Sequence, residues 1–166
     1  MMREIFFGLF FLGCLTFASA QTLQGTVTRV SDGDTLQISM SASGKSIKPI
    51  KLRIQGIDAP EICQSGGKAA RDALRARLLR QSVTLTTQAR DQFGRVIARV
   101  EHRGQDVGAW LVSNGHAWSD AYRSNPGPYA AEQSAAQKSA LGLWAQRPAI
   151  EPKQWRKQNG ACHSSK

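Results

Sequence analysis

Six residues carry the chemistry that this chain spells out: Asp32, Asp34, Arg53, Asp58, Glu61 and Arg95. Acids are scarce, 12 Asp plus Glu against 22 Lys plus Arg in 166 residues, yet four of them fall at the ends of short apolar segments. Carboxylates gathered at one spot repel one another unless a cation compensates them, and a hard divalent ion such as Ca²⁺, which takes several oxygen ligands, is the simplest candidate. Taken singly, Asp32-Gly33 reads as a hairpin turn and Asp58-Ala59-Pro60 as a loop that ends a strand. Arg53 and Arg95 read singly as solvated charges, but a guanidinium fork also grips phosphate and stabilises charge that grows in phosphoryl transfer. An acid pair for a metal, one further Glu and two arginines form a minimum set for phosphodiester hydrolysis. In it the metal polarises the phosphate, the Glu manages the proton of the attacking water, and the arginines hold the oxygens.

The elements that must position these residues follow from periodicity. Leu23 to Val30 and Thr35 to Met40 alternate as half-buried strands around the turn Ser31-Asp32-Gly33-Asp34, which predicts a hairpin. Ser41 to Ser46 is a small polar loop. Ile47 to Gln55 is a third strand, broken by Ala59-Pro60, and Ser82 to Thr87 and Arg95 to His102 are two more. From Gly66 to Arg80 the period becomes helical, with Ala70, Ala73, Leu74 and Leu78 on one face and Lys68, Arg71 and Arg75 on another. Val107 to Asn114 and the Ala-rich Tyr129 to Leu141 complete three helices, stopped by Gly115 and Gly142. Five short strands with helices late in the chain suggest a small barrel of the OB kind, α+β in class. Everything after Arg147 reads as a loosely packed basic tail, 148–166, behind one domain at 21–147.

The net charge of +10 and a pI near 10.2 suit a polyanionic partner, and the absence of internal repeats excludes a solenoid or propeller. The one long apolar run, Ile5 to Phe17, follows Arg3 and precedes Ala18-Ser19-Ala20, so residues 1–20 read as a cleavable signal peptide of a periplasmic or secreted protein. An uncleaved anchor and a lipoprotein site at Gly13-Cys14 are the alternatives. Two cysteines then remain, Cys63 and Cys162, and an even count in an exported chain reads as a disulfide, with two free thiols as the alternative. Such a bridge closes roughly 100 residues, worth up to about 4–5 kcal/mol by chain entropy.

Three segments in order, Val30-Ser31-Asp32-Gly33-Asp34-Thr35, Leu52 to Glu61 (LRIQGIDAPE) and Asp91-Gln92-Phe93-Gly94-Arg95, resemble the staphylococcal nuclease (thermonuclease) family, as does Gly142-Leu143-Trp144. The resemblance runs from about Leu23 to Trp144. It implies a five-stranded OB barrel with three helices and a Ca²⁺-dependent hydrolase of DNA and RNA with little sequence specificity, which cuts on the 5′ side and leaves 3′-phosphate ends. By the same resemblance Asp34 and Asp58 would hold Ca²⁺ through carboxylates and Ala59 through its carbonyl. Glu61 would position or deprotonate the water, and Arg53 and Arg95 would clamp the phosphate, with Asp32 supporting the turn. The chain departs from the staphylococcal enzyme at Gln92-Phe93, where that enzyme has Lys-Tyr, and at Trp118, Asp120 and Tyr122, where it has tyrosines. Phe93, Trp118 and Tyr122 are the candidates for contact with bases, since aromatic stacking tolerates any sequence. For Trp118 core packing is as good a reading, and for Trp110 and Trp144 a better one.

Lys68, Arg71, Arg75, Arg77, Arg123, Lys138, Lys153, Arg156 and Lys157 would steer DNA or RNA by salt-dependent attraction, or form a merely solvated face. His102, His116 and His163 are scattered and suggest no zinc or catalytic histidine. The chain reads as a monomer without a stable protein partner. A silent nucleic-acid-binding OB module and a calcium-binding structural protein are the competing readings, and the second leaves Arg53 and Arg95 unexplained.

Overall fold

The computed structural model describes residues 22–42, 45–46, 48–145, 148–160 and 162; the expected signal peptide lies outside them. Five strands form the body: β1 (Thr22–Val30), β2 (Thr35–Ser39), β5 (Ile50–Ile54), β7 (Ser82–Arg90) and β8 (Val96–His102). The intervening ladders are two residues long: β3 (Ser41–Ala42) with β4 (Lys45–Ser46), inside the stretch expected to be loop, and β6 (Ile57–Asp58), which pairs with β10 (Trp118–Ser119). A further short strand, β9 (Gln105–Asp106), extends β8.

The hairpin β1–β2 pairs Val30 with Leu36, β2 pairs antiparallel with β5, β1 with β7 and β7 with β8. The circle closes where β5 meets β8 in parallel, Leu52 beside Val96 and Arg53 beside Ile97. This is a closed five-stranded OB barrel of α+β class. Its interior is filled by alternate residues of every strand, among them Val27, Leu36, Ile38, Leu52, Ile54, Leu85 and Val100, all without appreciable exposure. Closure leaves the five strands no open edge, and it places the β2–β5 register, Thr35 opposite Arg53, at one mouth of the barrel.

The helices cap the barrel. Helix α1 (Gly67–Leu78) buries Gly67, Ala70, Leu74 and Leu78, close to the apolar stripe that its sequence predicts. Helix α2 (Val107–Ser113) starts at Asp106, whose carboxylate accepts the Ala109 N–H, and buries Val107, Leu111 and Val112. Helix α3 is shorter than expected, Ala130–Lys138; Ala140 already has a left-handed φ of 50°, and Gly142-Leu143-Trp144 sits in a separate 3₁₀ turn, Gly142–Ala145.

The C-terminal segment differs most from expectation. Instead of a loose tail it forms a fourth helix, α4 (Pro152–Asn159), with Pro at its first position and Gly160 after its end. Gln64 donates to the Ile150 carbonyl at 2.8 Å in front of it, and the Cys63–Cys162 disulfide fastens the chain behind it. None of the described helices is long and apolar enough to cross a membrane.

Candidate active site

At the mouth of the barrel the β1–β2 turn is closed by the Ser31 N–H to the Thr35 carbonyl, and Asp32 accepts the Asp34 N–H at 3.0 Å. Asp32 is thus engaged in the turn. A Cβ on Gly33 would lie 2.6 Å from the Ala59 side chain and 2.8 Å from that of Ala70, so only glycine lets this turn rest on the Asp58-Ala59-Pro60 loop. That approach brings Asp34 to the loop. Its Oδ1 accepts the Thr35 hydroxyl at 2.9 Å and its Oδ2 accepts the Ala59 N–H at 3.2 Å.

Arg53 reaches up from β5 between two acids. Its Nη1 lies 3.0 Å from Asp34 Oδ2, and its Nη2 donates to Asp58 Oδ1 at 3.0 Å and to the Ile57 carbonyl at 3.4 Å. Asp34 and Asp58 are 4% and 5% exposed, so these are buried charges and Arg53 is what makes them tolerable. Even so, burial pushes the Asp34 carboxyl up to about 7 against the pull of Arg53, with the Asp32 charge adding to the rise. Asp58 is fixed by the pairing of β6 with β10, opposite Trp118.

Glu61 stands one turn further on, half-buried. The N-terminus of α1 is packed against its backbone: a Cβ on Gly67 would come within 1.8 Å of the Glu61 carbonyl oxygen, which makes glycine obligatory there. Arg95 lies on the far side of Asp34, where its Nη1 donates to the Thr35 hydroxyl at 3.4 Å. It is aimed by Asp91, whose Oδ2 accepts from Arg95 Nε at 2.7 Å while Oδ1 accepts the N–H groups of Phe93 and Arg95, each at 2.9 Å. Burial pushes Asp91 up, but these hydrogen bonds outweigh it and hold the carboxyl below its ordinary value.

The sequence-predicted Asp34, Arg53, Asp58 and Glu61 therefore meet at one mouth, with Ala59 among them and Arg95 at the rim. The aromatic candidates divide. Phe93 and Tyr122 are 73% and 64% exposed, whereas Trp118 is half-buried and packs edge-on against Trp144 with ring centres 4.4 Å apart. Phe93 lies beside Arg95, whose guanidinium carbon is 5.7 Å from its ring centre.

Three contributors were not read from the sequence. Asp91 sits inside the third motif, and its i, i+4 spacing to Arg95 was the available signal. Asp120 borders the site; burial raises its pKa and the Asp58 charge adds to that. Arg156, grouped above with the free surface cations, is instead in the site: its Nη1 and Nη2 grip Asp58 Oδ1 and Oδ2 at 3.0 and 2.8 Å, and Nη1 also donates to Glu61 Oε1 at 3.1 Å. Three other members of the proposed cationic face are also engaged, Arg71 with Asp72, Arg77 over the Trp110 ring and Arg123 over that of Tyr122.

Known proteins share this arrangement of sequence. The family model described as staphylococcal nuclease homologue matches residues 51–146, more than half of the chain. The chain belongs to the staphylococcal nuclease family. It is accordingly a nuclease by class, a hydrolase of phosphodiester bonds. Among similar family members, an uncharacterized endonuclease of Haemophilus influenzae is 36% identical over 132 residues, covering 80% of this chain and 72% of that protein. A micrococcal nuclease of Shigella flexneri is 33% identical over 146 residues, 81% of this chain and 80% of its own, and the ParB protein of Escherichia coli is 32% identical over 151 residues, 82% and 81% respectively.

Residues of this staphylococcal nuclease homologue fit a hard divalent cation by donor chemistry. Among the described residues no three Asp, Glu, His or Cys side chains are grouped to hold a metal unaided, so such an ion would take two carboxylates and complete its shell from backbone oxygen, water and substrate. The Asp34 carboxyl, raised to about 7 by burial, is short of positive charge, and a cation beside it would hold it ionised.

Proposed function

We propose that this protein is an exported, Ca²⁺-dependent endonuclease that degrades DNA and RNA with little sequence specificity and leaves 3′-phosphate ends. The observation that carries this reading is the buried Asp34–Arg53–Asp58 cluster, bordered by Glu61 and flanked by Arg95, on a chain with net charge +10. The endonuclease name borne by the Haemophilus influenzae relative supports cleavage within chains. The disulfide supports export, since such bonds persist in oxidising compartments.

Asp34 and Asp58 would hold the Ca²⁺ with the Ala59 carbonyl, and when bound the ion polarises the scissile phosphate. Glu61 accepts the proton of the attacking water, whose oxygen forms a bond to phosphorus as the P–O5′ bond breaks and the departing O5′ takes up a proton from solvent water. The products are a 3′-phosphate and a 5′-hydroxyl. Arg95 neutralises charge on the phosphate oxygens, held at the right angle by Asp91, and Arg53 holds the Asp34 and Asp58 side chains together through its two salt bridges while presenting its outer edge to the phosphate. Phe93 and Tyr122, exposed on loops, would stack on bases without reading them, and the free lysines and arginines would steer the polyanion by a salt-dependent field.

The test is a time course on single-stranded DNA, duplex DNA and RNA with Ca²⁺ or EDTA, beside Glu61→Gln. The expected result is cleavage that stops in EDTA and falls about 10²–10⁴-fold in the variant, as loss of a general base does. Product ends should resist polymerase extension until a phosphatase removes the 3′-phosphate. Tight binding without cleavage in any divalent metal would overturn the reading in favour of a silent binding module.

A further inference from the structure

Both oxygens of Asp58 and the near oxygen of Glu61 are taken by Arg156, which reaches them from 98 and 95 residues away in sequence. The contact is built rather than incidental. The guanidinium grips Asp58 in a fork of 2.8 and 3.0 Å, and its side chain is 33% exposed against 7% for Asp58. The hydrogen bond to Asp58 raises the Arg156 pKa, with Glu61 adding to it.

The helix that carries Arg156 is bracketed by the Glu61 turn itself. Gln64 holds Ile150 in front of α4, Cys63 holds Cys162 behind it, and Cys63 also donates its N–H to the Cys162 Sγ at 3.0 Å. Among the described residues α4 adds little apolar packing beyond the half-buried Trp155. Its sequence, PKQWRKQN, is polar around its whole circumference apart from Trp155, and Pro152 is its only buried residue. A short tether at both ends keeps Arg156 at a high effective concentration over the acids.

Charge decides what this does. Counted with every carboxylate ionised, as a bound cation would leave them, Asp34, Asp58 and Glu61 against Arg53 and Arg156 carry a single negative charge. A divalent ion added with Arg156 in place would turn this into a positive charge and would compete for lone pairs already in use. With Arg156 withdrawn, the same ion leaves the cluster neutral and gains Asp58 as a ligand.

We infer that α4 is an autoinhibitory strap, retained by the Cys63–Cys162 disulfide, whose Arg156 competes with the divalent metal for Asp58 and at the same time occupies the Glu61 carboxylate. The inference rests on the metal and base roles proposed above for Asp58 and Glu61. Metal binding, rather than substrate binding, is then the step that swings Arg156 out and frees the Glu61 carboxylate, and opening the disulfide lowers the metal concentration that this takes.

The experiment is calorimetric titration of Ca²⁺ into the metal-stripped full chain, its Arg156→Gln and Arg156→Lys variants, and the Cys63→Ser/Cys162→Ser double variant, each checked for a cooperative melt. A strap closed nine-tenths of the time weakens apparent affinity about tenfold, so Arg156→Gln should bind Ca²⁺ at least about tenfold more tightly. Arg156→Lys, which keeps the charge but loses the fork, and the disulfide-free chain should fall between. Nuclease activity should rise in Arg156→Gln at limiting Ca²⁺ and converge with the wild type at saturation. Equal or weaker Ca²⁺ affinity in a folded Arg156→Gln overturns the strap, as does a lower rate at saturating Ca²⁺ with unchanged affinity, which would make Arg156 a substrate clamp. Absence of both Ca²⁺ binding and cleavage in every form would instead bring down the proposed function, and the strap with it.

Discussion

Removing the Arg53 charge should produce a stability loss that appears only at high pH. In Arg53→Met the long side chain is kept and the charge lost. Asp58 retains Arg156 at 2.8 and 3.0 Å, whereas Asp34, 4% exposed, keeps only the Thr35 hydroxyl and the Ala59 N–H. In the wild type without metal, burial raises the Asp34 carboxyl from 3.8 to about 7 although Arg53 opposes the rise. Between those values the folded chain holds a proton that the unfolded chain has released, so stability declines as pH rises. Above about 7 Asp34 is ionised in both states and its contribution levels off. Without Arg53 the folded value moves higher and the decline continues, at about 1.4 kcal/mol per pH unit for one proton. Wild type and variant should therefore run nearly parallel between pH 5 and 7 and diverge by about 3 kcal/mol at pH 9, the low end of the roughly 3–5 kcal/mol that breaking a buried ion pair costs. The assay is urea unfolding in EDTA, followed by tryptophan fluorescence, at unit pH steps. Adding Asp34→Asn to the variant should abolish the divergence. A gap that stays constant from pH 6 to 9 would refute the argument, because Arg53 would then not be what keeps Asp34 ionisable.

Three further outcomes follow from the geometry. Asp91→Asn keeps a carbonyl for the Phe93 and Arg95 N–H groups but loosens the Arg95 guanidinium, so kcat should fall about ten- to a hundredfold with KM and melting temperature little changed. A matching rise in KM would instead assign Asp91 to substrate binding. Gly67→Ala sets a methyl group 1.8 Å from the Glu61 carbonyl oxygen; it should cost about 1–3 kcal/mol in urea unfolding and displace Glu61, and a neutral result would show that the α1 terminus yields. Thiol alkylation under denaturing, non-reducing conditions should leave Cys63 and Cys162 unlabelled, and two added labels would refute the disulfide.

What the sequence disclosed, and what it withheld, divides by the range of the forces involved. The hairpin β1–β2 and the strands β7 and β8 follow from alternation, because a strand with one buried face must repeat every second residue. The acids and Arg53 were legible as a group because they end adjacent strands, and the β2–β5 register that sets Thr35 opposite Arg53 joins them. Asp91 was visible in its motif, but its service to Arg95 depends on a five-residue turn whose hydrogen bonds no periodicity encodes. Helix α4 lacked even that signal. With Trp155 as its lone large apolar residue it has no stripe to detect, and Pro152 at its start and Gly160 at its end were the available marks. Its position is set by a disulfide 99 residues long and by Arg156, whose partners lie across the whole domain. A basic side chain in a polar segment looks identical in sequence whether it faces water or a buried carboxylate. For Arg156 the difference is made by Asp58, which is 5% exposed and can accept the guanidinium on both oxygens only because the strap is tied down beside it.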